Sequence, residues 1–237
     1  MEIETPPVLA LHGNLGQPSD WENLELPNLK AVDLWEWSEL SFFEFAHELA
    51  TSLSHGMERP ILAGYSLGGR LALYAMAIHP ERWGGAIVAA AHPGLPCVED
   101  RLARRTSDAI WAKRVRELPW DEFLEAWNDQ PVFTSSEVTG GQRSLEARRD
   151  SIAMAFETWS LGRQEDLRSS LRRFHAPVLW ITGERDAKFS QLAEEMEEVF
   201  PTMTRRVLAD HGHRVLGPEM GQEIRSWLSA TSFSSEA

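Results

Sequence analysis

The segment Gly64-Tyr65-Ser66-Leu67-Gly68-Gly69 constrains the fold more than any other part of the chain. It follows an apolar run, Pro60–Ala63, and it opens a run with a helical pattern. A strand, a Gly-x-Ser-x-Gly turn and a helix predict a sharp bend that lifts a serine hydroxyl out of a sheet. We expect a strained backbone at Ser66, and glycine at 64 and 68 because a side chain there would strike neighbouring backbone. The alternative is a glycine-rich turn with an incidental serine.

Short apolar runs alternate with helical patterns along most of the chain. This alternation predicts the α/β class, with a mostly parallel sheet and helices on both faces. The expected strands are Val8–Leu11, Leu29–Asp33, Pro60–Ala63, Gly85–Ala90, Pro177–Thr182 and Thr204–Leu208. The expected helices include Ser41–Ser54, Leu67–His79, Ser190–Val199 and Glu219–Ser229.

The region from residue 96 to residue 175 has a different pattern. It contains no convincing strand, and Pro119, Pro131 and Gly140-Gly141 interrupt its helical runs. We therefore predict an inserted helical cap over residues 96–175, above a core made of residues 1–95 and 176–237. Such a cap would cover the carboxyl ends of the strands, where α/β sheets place their sites.

Charge and cysteine content narrow the range of partners and compartments. The formal net charge of −13 argues against nucleic acid and anionic membranes as partners, although a local cluster of arginines can still bind a small anion. The single cysteine, Cys97, excludes an internal disulfide and fits a reducing compartment. Neither a secretion signal nor an apolar membrane-spanning run is visible, so we expect a soluble cytoplasmic protein. We also expect a monomer or small homo-oligomer.

A serine hydroxyl becomes reactive only beside a histidine that an acid orients. After a turn of this kind the expected chain order is Ser, then acid, then His. Asp186 directly follows the strand 177–182 and is the expected acid. Glu184 is a rival acid, and Asp186 has an alternative role as the N-cap of the next helix.

Two histidines, His211 and His213, lie in the loop after the last expected strand. Counting forward from Val207-Leu208 favours His213 as the catalytic histidine, whereas counting back from Pro218 favours His211. We predict His213. Neither histidine has nearby carboxylate or cysteine partners at zinc-like spacing, so we expect no metal and no other cofactor.

Two backbone N–H groups are expected to stabilise negative charge beside Ser66. One belongs to Leu67, the residue after the serine. The other belongs to Asn14, in the loop His12-Gly13-Asn14 after the first strand. One such donor changes a rate by about a hundred- to a thousandfold.

Several further segments accompany the serine turn: Gly64–Arg70, His92–Leu95, Arg101, Arg104, Ser107-Asp108, Trp111, Trp127–Phe133, Arg148 and Gly183–Phe189. With them the chain resembles α/β-hydrolase-fold proteins from Leu9 nearly to its end. Within that superfamily it is most similar to the menaquinone-pathway 2-succinyl-6-hydroxy-2,4-cyclohexadiene-1-carboxylate (SHCHC) synthases. The serine turn is shared by a large superfamily, whereas the cap segments are more specific.

The resemblance implies a lyase that needs no cofactor and acts on a small anionic molecule. The implied substrate is a succinyl, enolpyruvyl, hydroxycyclohexene carboxylate with three carboxylates, from which the enzyme abstracts a ring proton and eliminates pyruvate. Ser66, activated by His213 and Asp186, would be the general base. The implied substrate-binding residues are Arg70, Arg104, Arg148, Tyr65 and Trp127.

Two other functions use the same residues. A carboxylic ester or thioester hydrolase would need the same serine, histidine and acid, with a cap that prefers apolar acyl groups. A non-catalytic small-molecule binding protein on this fold is the alternative of a different class, and the intact set of Ser66, Asp186 and His213 argues against it.

Overall fold

The computed structural model describes residues 5–136 and 140–233. A six-stranded sheet lies at its centre, and every pair of neighbouring strands is parallel. The strands are β1 (Val8–Leu11), β2 (Leu29–Val32), β3 (Ile61–Tyr65), β4 (Gly85–Ala89), β5 (Val178–Gly183) and β6 (Met203–Leu208). Their order across the sheet is β2-β1-β3-β4-β5-β6, so the strand that precedes the serine turn is central.

Helices connect the strands and cover both faces of the sheet. They are α1 (Ser19–Glu22), α2 (Phe42–Glu48), α3 (Leu67–Ile78), α4 (Val98–Glu117), α5 (Trp120–Asn128), α6 (Arg149–Thr158), α7 (Arg168–Leu171), α8 (Ala187–Glu197) and α9 (Pro218–Ala230). Helix α2 begins with a capping box in which Ser41 and Glu44 bond reciprocally, and it continues as one π-helical turn over Leu49–Leu53.

The apolar strands are buried on both faces, as expected of a sheet covered by helices on each side. Alternate residues of β1 divide between two hydrophobic clusters. Leu9 and Leu11 belong to the larger cluster, with residues of α2, α3 and the cap region, whereas Val8 and Ala10 pack with residues of α1 and α9. Packing on both faces holds the strands in place. Because all the strands are parallel, their carboxyl ends lie at one edge of the sheet.

The α/β-hydrolase fold predicted from the sequence is confirmed, and each expected strand is present within two residues of its predicted ends. The least accurate helix boundary is at α8, which begins at Ala187 rather than Ser190. None of the helices in the described part of the chain combines the length and the apolar character that a membrane span requires.

The region predicted as a cap is helical wherever it is described. Helices α4, α5 and α6 follow one another there, and no strand lies between 98 and 136 or between 140 and 171. Pro119 immediately precedes α5 and Pro131 begins a short 3-10 segment, as the breaks in the pattern predict. The predicted core and cap ranges also include residues 1–4, 137–139 and 234–237, which lie outside the described residues.

Candidate active site

Ser66 occupies the bend between β3 and α3 in a strained conformation. Its φ is 50° and its ψ is −106°, a region that side-chain-bearing residues rarely adopt. The bend requires two glycines because the backbone is crowded. A Cβ atom at Gly64 would lie 2.3 Å from the carbonyl oxygen of Gly68, and one at Gly68 would lie 2.2 Å from that of Leu11. The predicted geometry of the turn is thus confirmed.

The structure brings Ser66, His213 and Asp186 together. Oγ of Ser66 lies 3.1 Å from Nε2 of His213, and Nδ1 of His213 lies 2.7 Å from Oδ2 of Asp186. The carboxylate accepts the Nδ1 proton, so Nε2 is left as the acceptor for the serine hydroxyl. His213 and Asp186 are both buried, which strengthens their interaction. This arrangement can take a proton from the serine hydroxyl.

The rival residues do not reach the serine. Nδ1 of His211 donates to the carbonyl oxygen of Ala209, and its Nε2 lies 3.8 Å from Glu219. Glu184 accepts a hydrogen bond from the backbone N–H of Asp210. Asp186 does occupy the N-cap position of α8, but its side chain makes no capping bond and bonds to His213 instead.

Aromatic side chains surround the His213 ring. Its centroid lies 4.5 Å from that of Phe189, 5.8 Å from that of Tyr65 and 5.9 Å from that of Phe133. Phe133 belongs to the region predicted as a cap. These contacts restrict the orientation of the imidazole and keep water from its faces.

Asn14 and Leu67, the predicted oxyanion-hole donors, both lie beside Ser66. Leu67 is the first residue of α3, so its N–H has no acceptor within the helix. Asn14 lines the cavity beside Ser66, and the hydrogen bond from Gly68 N–H to the carbonyl oxygen of His12 holds its loop against the bend. His12 is structural, because its Nδ1 donates to Gly13 and its Nε2 accepts from Leu34.

A cavity of about 290 Å³ adjoins Ser66 and His213. One part of its wall is cationic and includes Arg70, Arg104 and Lys188. Another part is aromatic and includes Trp111, Trp127, Phe133 and Phe156. The cavity therefore suits a ligand that has both an apolar body and negative charges.

Arg70 is a buried cation on the cavity wall. It is 8% exposed, and its guanidinium donates to the carbonyl oxygen of Trp159 (2.8 Å) and to Oε1 of Gln164 (3.3 Å). Both acceptors are neutral, and no carboxylate of the described residues forms an ion pair with it. Burial lowers the pKa of Arg70, which reflects the cost of its isolated charge. An anion in the cavity would offset that cost.

The other predicted ligands on the wall are Arg104, Tyr65 and Trp127. Nε of Arg104 lies 2.8 Å from Oδ1 of Asp108, so its charge is partly neutralised. Tyr65 and Trp127 are buried and line the cavity. Burial raises the pKa of Tyr65, so its phenol remains neutral.

Arg148 corrects one expectation, because the structure does not bring it to the cavity wall. Its Nη2 lies 3.0 Å from Oδ2 of Asp33 and 3.9 Å from Oε1 of Glu36. It ends the 3-10 segment Gln142–Arg148, and the acidic stretch after β2 attracts its charge. In this structure Arg148 ties the region predicted as a cap to the edge of the sheet.

Lys188 and His92 are two polar residues of the cavity wall that are not among the predicted site residues. Lys188 follows Asp186 by two positions at the same strand end, and burial lowers its pKa. His92 follows β4 by three positions. Burial and the charges of Lys188, Arg70, Arg168 and Arg104 lower the pKa of His92 to about 3, so its ring is neutral. The sequence feature that could have identified both residues as site residues is their position just beyond the end of a strand.

Comparison with known proteins agrees with the fold. The profile of the Alpha/beta hydrolase family matches residues 8–226. The 2-succinyl-6-hydroxy-2,4-cyclohexadiene-1-carboxylate synthase of Pectobacterium atrosepticum is 34% identical over 94% of this chain and 94% of its own length. The synthase of the same name from Enterobacter sp. (strain 638) is 33% identical over 88% of this chain and 84% of its own.

Solved structures share the same fold. MenH from S. aureus superposes with a TM-score of 0.83 and 24% identity, and the match covers 97% of this chain and 96% of that one. A thermophilic esterase from Thermogutta terrifontis superposes with a TM-score of 0.73 and 21% identity, over 95% and 90% of the two chains. The chain therefore belongs to the alpha/beta hydrolase family and, within it, to the family of 2-succinyl-6-hydroxy-2,4-cyclohexadiene-1-carboxylate synthases.

Proposed function

We propose that this protein is an SHCHC synthase of menaquinone biosynthesis, which eliminates pyruvate from a succinyl, enolpyruvyl, hydroxycyclohexene carboxylate. The observation that carries the proposal is the hydrogen-bonded series Ser66–His213–Asp186 beside a cavity whose wall holds a buried arginine that forms no ion pair with any carboxylate of the described residues. We place the enzyme in the cytoplasm, as a monomer or small homo-oligomer, and it uses no cofactor.

Electrostatics support a substrate with several carboxylates. The chain as a whole carries a net charge of −13, yet Arg70, Arg104 and Lys188 share one wall of the cavity. A guanidinium binds a carboxylate through two parallel hydrogen bonds, each contributing about 1.5–3 kcal/mol. The aromatic wall, which includes Trp127, provides an apolar surface for the ring.

The proposed chemical step begins at Ser66. Oγ removes the ring proton next to the succinyl carbonyl while its own proton passes to Nε2 of His213, which Asp186 stabilises as an imidazolium. The electron pair of the broken C–H bond first enters the succinyl carbonyl as an enolate. When it returns, it forms a new ring double bond, and the existing ring double bond shifts to the carbon that carries the enolpyruvyl group. The C–O bond to the enolpyruvyl group then breaks, and enolpyruvate leaves and takes up a proton as pyruvate.

The N–H groups of Leu67 and Asn14 are proposed to stabilise the intermediate charge. Removal of the ring proton places negative charge on the carbonyl oxygen of the succinyl group, as in an enolate. Donors that are already oriented lower the energy of that charge without reorganising. The same donors would serve an acyl-transfer reaction, so the carboxylate-binding wall is what favours elimination over ester hydrolysis.

The test is to offer purified protein the enolpyruvyl substrate and follow pyruvate through lactate dehydrogenase. p-Nitrophenyl acetate and butyrate are measured in parallel at the same enzyme concentration. Rapid pyruvate release with slow ester cleavage supports the synthase. Rapid ester cleavage without pyruvate would make the protein an esterase, and no turnover of either substrate would favour a binding protein.

A further inference from the structure

His92 lies close to the serine bend because of the way β4 is paired. Backbone N–H of Ser66 donates to the carbonyl oxygen of Ala89, the last residue of β4, at 2.9 Å. Ala90 follows with a φ of 44°, so the chain turns sharply there. His92 is consequently buried on the cavity wall, 6% exposed.

The hydrogen bond from Gly94 determines which nitrogen of His92 carries the proton. The backbone N–H of Gly94 donates to Nδ1 of His92 at 3.1 Å. A neutral ring that accepts at Nδ1 must carry its proton on Nε2. Within 5–136 and 140–233, no protein group bonds to Nε2. The ring therefore offers the cavity an N–H donor.

Gln164 links His92 to Arg70. Its side chain is fully buried, and its Nε2 donates to the carbonyl oxygen of His92 at 3.1 Å. Its Oε1 accepts from Nη1 of Arg70 at 3.3 Å. One rigid amide thus sets the position of the buried cation relative to the histidine.

We propose that His92 is a further substrate-binding residue, whose Nε2–H donates a hydrogen bond to the carboxylate that Arg70 binds. This inference rests on the proposed function, since it assigns one of the substrate carboxylates to a defined subsite. A carboxylate has two oxygens, and a neutral donor beside Arg70 adds a second contact without adding a second buried charge. Another cation there would be repelled by Arg104 and Lys188.

Two reciprocal substitutions separate binding from structure. In His92→Asn the side-chain oxygen replaces Nδ1 as the acceptor for Gly94, but the cavity donor is lost. In His92→Gln the side-chain amide places an N–H near the position of Nε2, so the cavity keeps a donor, but the acceptor for the Gly94 N–H is lost. We expect His92→Asn to raise KM on the order of tenfold to a hundredfold, with a smaller change in kcat and a wild-type thermal midpoint. His92→Gln should keep KM closer to wild type and lower the midpoint.

A wild-type KM in His92→Asn would overturn the inference. It would also be overturned if KM rose in both variants in proportion to the drop in their thermal midpoints. Gln164→Glu supplies a second variant, because a glutamate against Arg70 would neutralise its charge and compete with the substrate. It should raise KM at least tenfold, and an unchanged KM would contradict the subsite.

A binding measurement distinguishes failure of this inference from failure of the proposed function. Succinate is titrated into wild type and His92→Asn, with quenching of tryptophan fluorescence as the signal, since Trp111 and Trp127 line the cavity. If the wild type releases no pyruvate but binds succinate more tightly than His92→Asn does, the subsite stands and the synthase activity does not. If the wild type neither turns over nor binds succinate, both fail.

Discussion

Oγ of Ser66 lies 3.1 Å from Nε2 of His213, although 147 positions separate the two residues in the chain. The region predicted as a cap supports this contact. Backbone N–H of Arg214 donates to Oγ of Ser136, and the Arg214 guanidinium lies 4.1 Å from the centroid of the Phe133 ring. The loop that carries the histidine is therefore held between the sheet and the segment before residue 137.

The first prediction concerns the two neighbouring histidines. His213→Ala should lower kcat for pyruvate release by at least about a thousandfold, because the serine then has no proton acceptor. His211→Ala is the matched control and should change kcat less than about threefold, since the only hydrogen bond that the His211 ring makes within the described residues is to Ala209, and Glu219 lies nearby. Steady-state kinetics of both variants measure this, and the opposite ranking would transfer the role to His211.

The second prediction concerns the buried arginine. Arg70→Met should raise KM on the order of tenfold to a hundredfold, because it removes charged hydrogen bonds to a substrate carboxylate. Arg116→Met removes the same charge from the surface, where Arg116 pairs with Glu157. It should leave KM within about twofold of wild type. Equal effects from the two variants would show that long-range charge, rather than contact, determines binding.

The third prediction concerns the crowding around the bend. Gly64→Ala should destabilise the protein by about 2–3 kcal/mol, because its Cβ would lie 2.3 Å from a backbone oxygen that cannot move freely. Gly140→Ala is the control, since a Cβ there meets no atom of the described residues within 4 Å beyond its chain neighbours. Its free energy of unfolding in urea should stay within about 0.5 kcal/mol of wild type. Similar midpoints for the two variants would refute this account of the bend.

The fourth prediction concerns pH and His92. The folded protein holds the pKa of His92 at about 3, whereas the unfolded chain has the ordinary value of 6.5. As pH falls below 6.5 the unfolded chain binds a proton that the folded protein refuses, so stability is lost progressively toward pH 3. The slope for one proton is about 1.4 kcal/mol per pH unit.

His92→Asn lacks this group and should lose less stability on acidification than the wild type. Urea unfolding of both proteins at about pH 7, 5.5 and 4.5 measures the difference. Curves that stay parallel over that range would mean that His92 titrates as it does in the unfolded chain.

The sequence carries enough information for the sheet and for the serine bend. Parallel strands buried on both faces appear as continuous apolar runs, and the glycines at 64 and 68 are required by backbone crowding. The choice between His211 and His213 was harder, because both follow β6 within five residues. Only the course of the loop decides which ring faces Asp186.

The directions of side chains in the cap region cannot be predicted from the sequence. Arg148 was expected at the cavity, but the spacing of residues does not reveal the direction of a side chain relative to another layer of the fold. Asp33 and Glu36 lie closer and attract its charge. The role of His92 is hidden from the sequence for a related reason, since its tautomer depends on a hydrogen bond from Gly94 that no sequence pattern reports.

The most direct test of the account compares wild type with Ser66→Ala on the enolpyruvyl substrate, with pyruvate release followed through lactate dehydrogenase. Circular dichroism confirms that the variant is folded. The account predicts rapid release by the wild type and a loss of at least about a thousandfold in the variant. Comparable release by the two proteins would contradict the assignment of Ser66 as the base.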